Sequence, residues 1–196
     1  MPSHPPILLA SASPRRVELL RQIVAEFPVV RSDAHELHDA SLGPRRLCEV
    51  NAERKALQVS SRFPDHLVLG ADTLVWLDGE PLGKPVDAAD ARRMLRRLAG
   101  RIHEVVTGVC LVHEGGNRMR IFSDSTRVRF RGYDDAVVER YLGFVDTSDK
   151  AGGYAIQEHG DLIVEQVEGS MSNVIGLPLE SLRSALSRWN VPDQAG

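Results

Sequence analysis

The chain has 196 residues, 42% of them hydrophobic, with 24 Lys and Arg against 27 Asp and Glu and a formal net charge of −3. That apolar fraction suffices for a packed core and excludes a disordered chain, and the slightly acidic balance excludes a nucleic-acid binder that relies on a broad basic surface. The two cysteines, Cys48 and Cys110, have neither CxxC spacing nor the number for a disulfide framework, so they read as reduced core thiols of a cytoplasmic protein.

From the start of the chain, MPSHPPILLASASPRR has no basic region ahead of a signal-length apolar run, and no apolar run approaches the ~20 residues of a membrane span. Ile7 to Ala10 reads as a buried strand. Ser13 then suits a helix N-cap and Pro14 the first helical position, with Val17, Leu19, Leu20 and Ile23 giving that helix its apolar face before Pro28. A second helix is predicted over Pro44 to Arg62, with Leu47, Val50, Ala56, Leu57 and Val59 as its apolar positions. Leu67 to Asp72 reads as a strand ending in an acid. Thr73 to Leu77 and Glu80 to Leu82 read as a hairpin across Asp78-Gly79. Asp87 can cap a helix to about Ala99 that Gly100 stops. Val105 to Val112 and Arg118 to Phe130 are strand-like, the second half-exposed, with Arg127, Arg129 and Arg131 on one face and Val128 and Phe130 on the other. A helix over Asp134 to Leu142, a polar glycine-bearing loop over Ser148 to Gln157, a strand over Leu162 to Val167 and a closing helix over Pro178 to Trp189 complete a mixed α/β domain without repeats or linkers, taken as one unit over 1–196.

Five segments carry polar chemistry. Ser11-Ala12-Ser13-Pro14-Arg15-Arg16 places two arginines beside a helix start, where unpaired N–H groups and bidentate guanidinium donors suit phosphate oxygens; the plainer reading is a capped helix with two solvated arginines. Asp72, at the end of its strand, can hold a divalent cation or take a proton from water if Glu36, Lys55 and Lys84 converge on it. Gly83-Lys84-Pro85 is a rigid turn that could aim an ammonium at phosphate, without the glycine-rich run of a Walker A loop. In Ser148 to Gln157, the Gln157 amide can both donate to and accept from a base edge. Glu168 to Pro178 reads alone as a loop into a helix. His35 and His38 lack a third partner at zinc spacing. Trp76 and Trp189 read as packing residues.

Taken together, LLASASPRRVELL, His35-Glu36, ERKA at 53–56, LGADT at 69–73, GKP at 83–85, DKAGGYAIQ at 149–157 and VEGSMSNVIGLPL resemble the Maf family of nucleotide pyrophosphatases in order and over nearly the whole chain. The resemblance implies an α/β fold with an elongated mixed sheet flanked by helices and two lobes around a cleft, related to the inosine-triphosphate pyrophosphatases. It implies hydrolysis of the α–β phosphoanhydride of nucleoside triphosphates to a monophosphate and pyrophosphate, with a divalent cation, Mg2+ or Mn2+, and a homodimer as a plausible assembly; nucleic acid and membrane are not expected partners. By position, Ser11, Arg15 and Arg16 match the family's phosphate-binding loop. Glu36, Lys55 and Lys84 match its catalytic or metal-site support, with Asp72 its proton acceptor and Asp72 and Glu36 the metal-holding pair. Arg15, Thr73 and Gln157 match the branch acting on dTTP and UTP, because an amide satisfies both O4 and N3–H of a pyrimidine. Around 31–43, either Asp33 or Glu36 could partner Asp72, and Arg54 stands where the family often has Glu. The competing reading is a non-catalytic nucleotide-binding regulator of cell division.

Overall fold

A computed structural model describes residues 4–191; the outer ends of the 1–196 unit, residues 1–3 and 192–196, lie outside the described residues. The strands are β1 (Ile7–Ala10), β2 (Leu67–Leu77), β3 (Glu80–Leu82), β4 (Ile102–His113), β5 (Arg118–Phe130) and β6 (Val164–Glu168). The helices are α1 (Pro14–Leu20), α2 (Gly43–Ser60), α3 (Ala88–Leu98), α4 (Asp135–Leu142), α5 (Met171–Ile175) and α6 (Leu179–Leu186). One mixed sheet runs in the order β1-β2-β4-β5-β6, with β3 also on β2. Among these strands β1 and β2 pair in parallel and the other pairs are antiparallel. Among the described residues no helix is long and apolar enough to cross a membrane.

Period-two alternation along β1 and β2 divides the first lobe. Ile7, Leu9, Leu67, Leu69 and Ala71 join α1 and α6 on one face. Leu8, Ala10 and Val68 meet Ala52, Ala56 and Val59 of α2 on the other. Val75, Leu77, Val128 and Phe130 continue into a second cluster with Leu95 and Leu98 of α3 and Val138 and Tyr141 of α4. These clusters are the two lobes. Asp87 and Asp134 cap α3 and α4 by accepting from Asp90 N and Val137 N, and Asp78 and Gly79 both take positive φ in the turn between β2 and β3.

Four local readings need correction. Asp72 does not end a strand: β4 pairs without a break from Val68 to Trp76, so β2 runs five residues beyond Asp72. Ser13 holds the N-cap position of α1 but makes no side-chain cap bond, and Ser11 Oγ accepts Ser13 N instead, at 3.2 Å. Leu57 faces solvent, because Ala52, Ala56 and Val59 fill the sheet-facing stripe of α2. The stretch after Glu168 holds a helix, α5, whose Ser170 cap accepts Asn173 N. Cys48 and Cys110 are buried free thiols, as expected.

The second lobe contains a buried histidine. His103 Nε2 lies 2.8 Å from the Tyr154 hydroxyl, and burial pulls its pKa down to about 4 from 6.5. Between those values the unfolded chain binds the extra proton, so stability rises with pH across the window and is lost as pH falls through it. The shift corresponds to about 3 kcal/mol lost from pH 6.5 to 4. Urea midpoints measured along this range should therefore fall, and His103→Gln, which cannot titrate, should flatten the slope.

Candidate active site

The site lies at a gap in one edge of the sheet. On the edge of β2 away from β4, β1 pairs only as far as Gly70 and pairing with β3 begins at Val75. Among the described residues, 71–74 therefore have no strand neighbour on that side, and a cleft of about 730 Å³ opens over them. Asp72 and Thr73 point to opposite faces of the sheet, yet both reach this cleft because the bare edge gives access to both faces.

Asp72 points toward α2 and is 5% exposed. Its Oδ1 accepts from Lys55 Nζ at 2.6 Å and its Oδ2 from Asn51 Nδ2 at 3.2 Å. The same ammonium lies 2.7 Å from Glu36 Oε1. Glu36 is thus the acid that joins Asp72, through Lys55, whereas Asp33 pairs with Arg31 on the surface. Burial raises the pKa of Glu36, but the charge and hydrogen bond of Lys55, followed by Lys84 and His38, outweigh it and hold the group below its ordinary value.

The geometry of this face comes from two glycines. A Cβ on Gly70 would stand 2.4 Å from Ala52 O, and one on Gly108 would stand 2.4 Å from Cys48 C and O. Asp72 pairs directly with Gly108 across the strands. Without those methyl groups the α2 backbone lies against the sheet, which brings Asn51 and Lys55 to Asp72.

On the other face, Arg16 Nη2 donates to Thr73 Oγ1 at 2.9 Å, Nε donates to Gly176 O at 2.9 Å and Nη1 to Ser11 Oγ at 3.4 Å. Burial lowers the Arg16 pKa, with the charge of Asp72 opposing. Thr73 Oγ1 lies 2.9 Å from Thr107 Oγ1, which donates to Asn173 O at 3.1 Å. Asn173 Nδ2 donates in turn to Val105 O and Thr126 Oγ1. The segment around α5 is thus the brace of the arginine loop, a role carried by Thr107, Thr126 and Asn173 that the sequence reading did not assign.

The opposite wall carries Lys84, Lys150 and Gln157, all lining the cleft. Gly152 N donates to Gly83 O at 2.9 Å and so joins the Gly-Lys-Pro turn to the Ser148–Gln157 segment. Arg15 spans the two walls, with Nη1 2.9 Å from Asp149 Oδ2 and Nη2 3.3 Å from Asp149 O. Lys150 Nζ holds the other oxygen of Asp149 at 2.9 Å. Ser11, Arg15, Arg16, Glu36, Lys55, Asp72, Thr73, Lys84 and Gln157, the nine residues singled out in the sequence, all line this cleft. Asn51 lies behind Asp72 and was missed; its signal was an amide among apolar helix positions, one turn before Lys55.

The profile of the family described as Maf-like protein matches residues 6–189. The chain belongs to the Maf family. This Maf-family chain is 46% identical over 183 residues to a dTTP/UTP pyrophosphatase of Akkermansia muciniphila, covering 93% of the chain and 96% of the relative. It is 46% identical over 184 residues to a dTTP/UTP pyrophosphatase of Gloeobacter violaceus, covering 94% and 96%. It is 43% identical over 188 residues to one of Symbiobacterium thermophilum, covering 95% of each. The six-stranded mixed sheet flanked by helices agrees with the α/β fold expected from the resemblance.

Proposed function

We propose that this Maf-family chain hydrolyses the α–β phosphoanhydride of nucleoside triphosphates, dTTP and UTP foremost, to the monophosphate and pyrophosphate. The observation that carries this reading is the meeting of Asp72, Glu36 and Lys55 with Arg15, Arg16 and Lys84 in one cleft. The names of the relatives support the pyrimidine preference.

In this reading Asp72 accepts the proton of a water that attacks the α-phosphorus, and the arginines and Lys84 hold the β and γ phosphates. A positioned base contributes only ~10²–10⁴-fold, whereas enzymes reach ~10⁶-fold or more, so the cationic donors supply much of the acceleration. Lys55 gives two of its three donors to carboxylates and holds the two acids side by side. The third donor is free to meet a phosphate oxygen. Arg15 must exchange Asp149 for phosphate. Thr73, engaged by Arg16 and Thr107, acts by holding Arg16 in place, and Gln157 accepts from N3–H of the base through its amide oxygen and donates to O4 through its N–H2.

The acid pair fits a hard divalent cation such as Mg2+ or Mn2+. Two carboxylates on one ammonium, at 2.6 and 2.7 Å, stand close enough to share an ion. Among the described residues no group of three or more His, Cys, Asp or Glu could hold a metal. This pair is consistent with an ion that keeps water and substrate oxygens as its remaining ligands. When bound at Glu36 and Asp72, it would supply positive charge to the phosphate oxygens.

The test is a panel of nucleoside triphosphates assayed with and without Mg2+, with both phosphate products identified. Pyrophosphate release, fastest with dTTP and UTP and lost on chelation, is the expected result. Release of orthophosphate, or indifference to the nucleobase, would overturn the reading.

A further inference from the structure

Asn51 lies on α2, four residues before Lys55, and is 2% exposed. It lines no part of the cleft, yet every hydrogen bond of its side chain serves the acids that do. Oδ1 accepts Leu37 N at 2.8 Å, and Nδ2 donates to Leu37 O at 3.1 Å and to Asp72 Oδ2 at 3.2 Å. Leu37 follows Glu36 directly. The N–H and C=O of Leu37 fix the amide orientation, because turning it over would set donor against donor and acceptor against acceptor. No other residue type of this size offers an acceptor and two donors there. Aspartate lacks both donors, leucine lacks all three groups, and glutamine is one carbon too long.

Resting on the pyrophosphatase reading, we propose that Asn51 is a positioning residue for that reaction. It ties the loop bearing Glu36 to the strand bearing Asp72, anchoring Oδ2 of Asp72 so that its carboxylate keeps one orientation toward the cleft. Lys55 also joins the two acids, but it does so by charge, and an entering phosphate competes for that charge. The bonds of Asn51 are buried behind the carboxylate, outside the cleft lining, where an entering phosphate does not compete for them. The role is therefore exercised in turnover and not in nucleotide affinity.

The test uses the full chain carrying Asn51→Leu, which keeps the heavy-atom count and branching of asparagine and removes all three hydrogen-bonding groups. The kcat for UTP should fall about 10- to 100-fold, the cost expected when a buried partner that orients a reacting group is lost, while KM stays within about threefold. Hydrogen exchange at the Leu37 amide should accelerate at least tenfold. Should Asn51→Leu not fold, Asn51→Asp, which keeps the acceptor toward Leu37 N and loses both donors, should show the same kcat loss. Wild-type kcat in a folded variant, or a loss that appears in KM instead, overturns the proposal. Exchange at Leu37 needs no substrate and so reads the tie independently: unchanged exchange in folded Asn51→Leu, which loses the acceptor for Leu37 N, overturns it. A wild-type chain that releases pyrophosphate from no nucleotide overturns the pyrophosphatase reading itself, a result distinguishable from an active wild type matched by its variant.

Discussion

Asp72→Asn is expected to abolish pyrophosphate release from UTP and dTTP while the chain stays folded. The substitution keeps the shape of the side chain, and its amide oxygen can still accept from Lys55. The new amide also sets one N–H2 against a donor, Lys55 Nζ or Asn51 Nδ2, and a mismatch of this kind costs about 1–3 kcal/mol, within the reserve of a domain this size. The chemical loss is larger. The carboxylate buried against the bare edge of β2 disappears, and with it the base factor of ~10²–10⁴ and half of the acid pair that would share a cation. Turnover should therefore drop by about a thousandfold or more, with a melting temperature lowered by roughly 2–12 °C and a cooperative unfolding transition retained. Steady-state pyrophosphate release and a thermal melt check the two halves, and near-wild-type turnover would remove Asp72 from the role of base.

Gly108→Ala is expected to have the largest effect on stability. The added methyl would meet Cys48 C and O at 2.4 Å and Glu49 N at 2.6 Å. All three atoms are backbone, so no side chain can swing aside. β4 cannot retreat either, since β2 and β5 pair with it on both edges. Helix α2 would have to lift off the sheet, at a cost of at least about 3 kcal/mol. Gly132, where an added Cβ meets nothing within 4 Å, is the control; Gly132→Ala should change stability by no more than about 0.5 kcal/mol. Denaturant titration of the two variants gives the comparison, and equal stabilities would mean that the close approach of α2 is not what fixes the helix.

Much of this architecture was legible before the coordinates. The apolar run Ile7 to Ala10, Pro14 at the helix start, the Asp78-Gly79 turn and the Asp87 and Asp134 caps are local signals, and each marks its element to within a few residues. The nine residues that line the cleft were singled out because ordered motifs carry them. What the sequence hid depends on pairing between distant strands. Nothing local says that pairing with β1 ends at Gly70 of β2 while pairing with β3 starts at Val75, so the bare edge that admits both Asp72 and Thr73 to one cleft could not be read. α5 has five residues, too few to show a helical period. Asn51 drew no reading from the sequence, because it is one amide on a mostly polar helix and only the fold brings Leu37 and Asp72 within its reach.

The contact of the α2 backbone with the sheet at Gly70 and Gly108 also decides which parts of the molecule can move. Asp72 and Lys55 stand on main chain already in van der Waals contact, so their half of the cleft works as an anvil. Any breathing that admits a nucleotide must come from the wall of Lys84 and Gln157, held across the opening by the partly exposed pair of Arg15 and Asp149. Such a pair weakens as salt rises, so ionic strength should govern how readily the cleft opens and leave the spacing of its acids unchanged.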